Sequence, residues 1–177
     1  MASKELLRTV KQYERHIELN GLDEQVVNAY VLAVQSALIY EKDIDYGLEL
    51  GEKAKDYIRR FIKERTGGTF EQLEMYAFEN NTQYDIVNKY YNVLMFESFY
   101  RFESFCFTME RFRHPSKRFY APRRKTLHVV AQDLQDLEDN KLKFLGVSLP
   151  SRTGKSTLCI FFLAWVAMSS VFCCHVS

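Results

Sequence analysis

Apolar positions recur at helical spacing from the start of the chain. Leu6, Leu7, Val10, Tyr13 and Ile17 share one stripe, so residues 3–19 predict an amphipathic helix, with Ser3 placed to cap it and Asn20-Gly21 to close it. Residues 22–41 predict a second helix through Val26, Val27, Tyr30, Val31, Val34, Leu38 and Ile39, apolar enough for a central position. Leu48, Ala54, Tyr57, Ile58, Phe61 and Ile62 predict a third over residues 45–65, ended by Gly67-Gly68. Three helices with short links predict an all-helical bundle.

A helix follows around residues 70–79, then a long aromatic-rich helical stretch over residues 83–112. That stretch holds Tyr84, Tyr90, Tyr91, Phe96, Phe99, Tyr100, Phe102, Phe105 and Phe107. Their helical spacing, with Glu97, Glu103 and Glu110 interleaved, assigns them to a core and a docking face and not to a base-stacking platform. Residues 124–138 predict a further helix with Leu127, Val130, Leu134 and Leu137 on one stripe, and Asp139-Asn140 a turn. Lys143-Phe-Leu-Gly-Val-Ser-Leu149 reads as a buried strand, and Lys155 onward as the next helix. The expected architecture is therefore mostly α. An N-terminal helical bundle over residues 1–115 is followed, over residues 116–177, by an incomplete α/β unit of one strand, a phosphate loop and one helix. One strand with one helix cannot bury both faces, so this last part is expected to be poorly supported or to pack against the aromatic helix.

Composition narrows the picture. Of 177 residues 47% are hydrophobic, enough for a real core and for one domain, or one plus a fragment. The net charge of +1 offers no whole-molecule argument for nucleic acid, so any such argument is local. Arg111, Arg113, Lys117, Arg118, Arg123, Arg124 and Lys125 form a run with no acid among them. It reads either as a nucleic-acid contact or as a structural cluster in which Arg113 and Arg124 pair with carboxylates. Cys106, Cys159, Cys173 and Cys174 lack zinc-site spacing and read as free thiols in a reducing cytosol. His16, His114, His128 and His175 are scattered, which assigns them to surface or core; Asp43, Asp45 and Glu49 lack the glycine and final glutamate of a calcium loop. No secretion signal opens the chain. Residues 158–176 carry no formal charge and approach bilayer-spanning length, but directly after Gly154-Lys155-Ser156 they read as a buried helix, with no membrane expected.

Chemistry concentrates in Leu149-Pro-Ser-Arg-Thr-Gly-Lys-Ser156. A strand, a compact loop, then Gly-Lys-Ser at a helix start would aim backbone amides and a helix N-terminus at a nucleoside triphosphate. In that arrangement Lys155 would hold the terminal phosphates, the Ser156 hydroxyl would ligate Mg, and Thr157 would sit in the first helical turn. Leu149 stands where the usual pattern has its first glycine, so the loop departs from the common form.

That departure carries a resemblance. Leu-Pro-Ser-Arg-Thr-Gly-Lys-Ser-Thr157 resembles the variant phosphate loop (Walker A) of phage terminase large subunits. Arg118-Phe-Tyr-Ala-Pro-Arg-Arg-Lys-Thr-Leu127 and Asp133-Leu-Gln-Asp-Leu-Glu138 resemble the approach to it, over roughly residues 117–167 in all. The resemblance implies a DNA-packaging motor ATPase in the cytoplasm of a bacterial host, with ATP and Mg as ligands and phage DNA, portal and small terminase subunit as partners. It implies that Ser151, Arg152, Thr153, Gly154, Lys155, Ser156 and Thr157 line the triphosphate. Lys155 and Arg152 would be the catalytic residues, the guanidinium stabilising charge on the transferred phosphoryl group. Residues 118–125 would lie near the base. Ser151 replaces a second proline of the pattern. The chain carries about twenty residues after the loop and none of the Asp-Glu pair (Walker B), coupling motif or nuclease carboxylates that the family places later. It is therefore expected to be a fragment that binds nucleotide without turnover, its last ten residues reading as a shifted frame or early stop. The alternatives are a helical interaction protein with a vestigial loop, and a nucleic-acid-binding module built on residues 111–125.

Overall fold

The computed structural model describes residues 2–150 and 152–174, with side chains as far as Ser169. Ser151 and His175 lie outside the described residues, as do the side chains of Cys173 and Cys174. The chain is mostly helical, and it divides into two compact units, 1–97 and 98–177. The division falls after Glu97, within the stretch of aromatics and ahead of the residue 115 at which the sequence pattern changes.

In the first unit, α1 (Lys4–Asn20) starts where Ser3 Oγ accepts from the Leu6 amide, and ends at Gly21, whose positive φ of 83° a side chain would strain. α2 (Glu24–Gln35) is capped by Asp23 and runs on into a π-helical turn, Ser36–Tyr40, so the helix expected over residues 22–41 changes its winding halfway. α3 (Ile44–Thr66) closes at left-handed Gly67, and α4 (Phe70–Glu79) opens with a Thr69/Gln72 capping box. α5 (Asp85–Glu97) completes the unit. Its core is the apolar stripe read from the sequence, with Val26, Tyr30, Val34, Leu38, Ile58 and Ile62 all buried. Inside that core Lys55 Nζ meets Glu97 at 2.8 Å.

The second unit begins with a correction. No continuous helix covers residues 83–112: the chain turns at residues 98–101 and restarts as α6 (Phe102–Met109). Gln135 holds the break, its side-chain oxygen accepting from the Phe102 amide (2.8 Å) and its nitrogen donating to the Tyr100 carbonyl (3.2 Å). α7 (Tyr120–Glu138) begins earlier than its leucine stripe suggests, because the Glu110 carboxylate accepts from the amides of Phe119 and Tyr120 (2.5 and 2.7 Å) and supplies the cap the local sequence lacks. α8 (Lys155–Cys174) packs on α6 and α7. Its Trp165 is 2% exposed, donates its indole N–H to the Ser98 carbonyl at 2.8 Å, and stacks on Phe102 with Phe162 alongside. The last helix therefore does pack against the aromatic stretch. No helix among the described residues is long and apolar enough to cross a membrane.

The strand expected over residues 143–149 does not form, and there is no strand among the described residues, so the α/β part of the expected architecture is corrected. The segment keeps a strand's alternation: Leu145, Val147 and Leu149 are half-buried while Phe144, Gly146 and Ser148 are exposed. What it lacks is a ladder partner. Its backbone makes no backbone hydrogen bond among the described residues, and a lone extended segment cannot become sheet.

Candidate functional site

The candidate site is the loop that delivers the chain from residues 143–149 into α8. Thr153 Oγ1 donates to the Pro150 carbonyl at 2.8 Å and folds the loop back on itself. Arg152 and Gly154 both have positive φ, 67° and 94°. For Gly154 the conformation is free; for Arg152 it costs about 1 kcal/mol or more, and such cost collects at functional positions. Phe119 presses on Gly154 so closely that any Cβ there would collide with its ring. Phe119 is held in turn edge-on against Phe161 of α8, ring centres 5.9 Å apart, with the Arg123 guanidinium 5.6 Å from its centre. Three elements thus fix the entry to the helix.

Gly154 has no side chain with which to cap α8, and the first turn of that helix holds no acid. Its leading amides lie at the end where the helix dipole is positive, an end that favours negative charge. Lys155 and Ser156 are exposed there, and Thr157 is half-buried. Both Lys155 and Ser156 open onto a groove of about 490 Å³, lined otherwise by Leu134, Leu137, Leu145, Val147, Cys159 and Ile160. One end of the groove is cationic and hydrogen-bonding; the rest is apolar. Of the residues read from the sequence as lining a triphosphate, Arg152, Thr153, Gly154, Lys155, Ser156 and Thr157 are thus consecutive at one helix entrance. Sequence reading missed the wall. Phe119 stands in the sequence with the approach to the loop but not as its support, Cys159 reads there only as a free thiol, and Ile160 carries no signal, although Cys159 and Lys155, four residues apart on a helix, have to share a face.

The basic run is placed differently. Arg118 is 6% exposed and donates from Nε to the Arg113 carbonyl and from Nη2 to the Arg111 carbonyl, at 3.1 and 3.3 Å. Arg124 forks onto Glu103 at 2.8 and 3.0 Å, and Arg113 lies 3.6 Å from Glu110, which are the carboxylate pairings expected of a structural cluster. Arg111 stacks over Phe112, and Arg123 donates to the Phe119 carbonyl at 3.1 Å. Lys117 and Lys125 are exposed. Among the described residues no three His, Cys, Asp or Glu side chains are grouped to hold a metal ion. No family model, no curated protein and no solved structure matches this chain.

Proposed function

We propose that residues 149–157 bind the phosphates of a nucleoside triphosphate, and that the chain is part of a terminase-type DNA-packaging motor ATPase. The observation that carries the reading is the entrance to α8, where a left-handed Gly154 clamped by Phe119 sets Lys155 and Ser156 in the first turn of a helix that holds no acid there. Lys155 and Arg152 supply positive charge, the leading amides take phosphate oxygens, and the Ser156 hydroxyl is a hard oxygen donor of the kind Mg accepts beside a triphosphate. Mg held with the nucleotide by the Ser156 hydroxyl would supply neutralisation of phosphate charge. Arg152, exposed at the loop's turn, is the guanidinium able to reach charge developing during transfer. The groove's lining contains no carboxylate to hold the metal from the other side or to orient water. The reading is therefore nucleotide binding without turnover by this chain, with phage DNA, portal and small terminase subunit as partners of the full motor.

Calorimetry with ATP, ADP and Mg on the wild type and on Lys155→Ala tests it. Binding that is lost in the variant, with no phosphate release by either protein, is the expected result. An inert wild type would overturn the reading and leave the helical unit as an interaction module.

A further inference from the structure

Lys155 and Ser156 belong both to the entrance of α8 and to the lining of the groove of about 490 Å³ beside it. The groove lies within the second unit, between α7, α8 and the extended segment, and the rest of its lining is Leu134, Leu137, Leu145, Val147, Cys159 and Ile160. Among the described residues that line it, the strong hydrogen-bonding side chains are therefore Lys155 and Ser156, both at the proposed phosphate end. A space of this size, apolar along its walls and polar at one end, suits an organic ligand with an anionic head and a flat body that packs on aliphatic side chains.

Residues 118–125, which the terminase resemblance would set near the base, are committed elsewhere. Arg118 is turned onto the carbonyls of Arg113 and Arg111, Tyr120 is 0% exposed, and Arg124 forks onto Glu103. The ring of Phe119 is engaged by Gly154 and, edge-on, by Phe161. Leu134, the nearer of the two α7 residues in the groove, lies about 21 Å along the helix axis from Tyr120. A base in the groove and a base against residues 118–125 are thus different placements.

We infer that the groove between α7, α8 and residues 143–149 seats the nucleoside half of the nucleotide, and seats it without selecting the base. This rests on the phosphate reading of the loop, whose Lys155 and Ser156 are continuous with the groove. Strong selection between bases needs polar groups that one base satisfies and another leaves unpaired, whereas an apolar pocket rejects a close analogue only weakly. The main chain of residues 143–149, which contributes Leu145 and Val147 to the lining, has no backbone partner among the described residues. Its N–H and C=O groups offer a donor and an acceptor to the edge of any base. Adenine and guanine are of similar size and are held alike, and with the polar side chains gathered at the phosphate end, ribose and deoxyribose are held alike too.

Calorimetry of the full chain with Mg and ATP, GTP, dATP or inorganic tripolyphosphate tests the inference. The three nucleotides should bind within about threefold of one another, and tripolyphosphate roughly tenfold more weakly than ATP. Cys159→Trp, at an exposed position, should fill the groove and weaken ATP and GTP together by about tenfold while changing tripolyphosphate far less. Ile160→Ala, where the side chain is 63% exposed and the fold is not at stake, should narrow the gap between ATP and tripolyphosphate by removing part of the wall. A preference of about tenfold or more for ATP over GTP overturns the absence of selection. Tripolyphosphate bound as tightly as ATP, or nucleotides indifferent to both variants, overturns the groove as the nucleoside's seat and leaves the phosphate reading standing. If neither tripolyphosphate nor any nucleotide binds, the phosphate reading itself fails and this assignment falls with it.

Discussion

The ring of Phe119 lies against the α-carbon of Gly154, at the one place where the chain enters α8 with a positive φ. Two independent constraints meet there, one conformational and one steric. Gly154→Ala should lose about 1 kcal/mol to the left-handed backbone and a further 1–3 kcal/mol or so to overpacking. The double variant with Phe119→Ala should relieve the collision and keep the backbone cost, while adding a cavity. Thermal melts of the four proteins separate these contributions. Calorimetry on Gly154→Ala should show weakened ATP binding even where the fold survives, because the amides proposed to take the phosphates move with residue 154.

The Lys55–Glu97 pair makes a sharper claim on stability. Glu97 is 0% exposed at its side chain, Lys55 8%, and their charges meet at 2.8 Å within an apolar core. Lys55→Met leaves a buried carboxylate without its cation and should cost about 3–5 kcal/mol. Lys55→Met/Glu97→Met removes both charges together and should recover most of that loss, since a buried ion pair is often no better than well-packed apolar side chains. Urea unfolding of both variants is decisive: a double variant as unstable as the single one would mean the pair is needed for packing and not merely for neutralisation. Gly51 belongs to the same argument, since a Cβ there would strike the Glu97 carboxylate.

Acid should act through Glu103. Burial pushes its carboxyl up, but donation from Arg124 and Tyr120, the guanidinium charge and donation from His128 outweigh burial and hold it at about 2, against an ordinary 4.5. A folded-state value below the unfolded one stabilises fully above about pH 4.5, and that stabilisation fades as pH falls toward 2; at most it amounts to about 3 kcal/mol. Glu103→Gln should therefore be less stable than wild type at pH 6, and the gap should close between pH 4.5 and 2 when urea midpoints are compared. A gap that stays constant through that window would place the contribution of Glu103 in hydrogen bonding alone.

The helices were legible because each carries its own signals. Ser3, Gly21, Gly67 and the Thr69/Gln72 box are local, and the apolar stripes of α1 to α3 need no distant partner to be recognised. The failures all depended on residues far along the chain. The break before Phe102 is held by Gln135, and the early start of α7 by Glu110, which no periodicity reveals. Residues 143–149 have the alternation of a strand, yet a strand is a property of pairs, and no second extended segment is present among the described residues. At the candidate site the consecutive loop residues were readable as a motif. The groove beside them is assembled from α7, α8 and the extended segment, so its wall appeared only with the fold.

The two described thiols should report on that wall. Cys159 is exposed and lines the groove with Lys155 and Ser156, whereas Cys106 is buried, and burial pushes its thiol upward so that it stays protonated at neutral pH. Alkylation needs a thiolate that the reagent can reach. Brief treatment of the native protein with iodoacetamide, followed by peptide mapping, should modify Cys159 and leave Cys106 intact until the chain is unfolded. An adduct one helical turn from Lys155 occupies the groove, so ATP binding should weaken roughly tenfold, about 1.4 kcal/mol. Nucleotide added first should slow the labelling, and Cys159→Ser should bind ATP normally while losing its sensitivity to the reagent. If ATP binding persists undiminished after complete modification of Cys159, the nucleotide does not use this groove and the phosphate contacts at the loop stand alone.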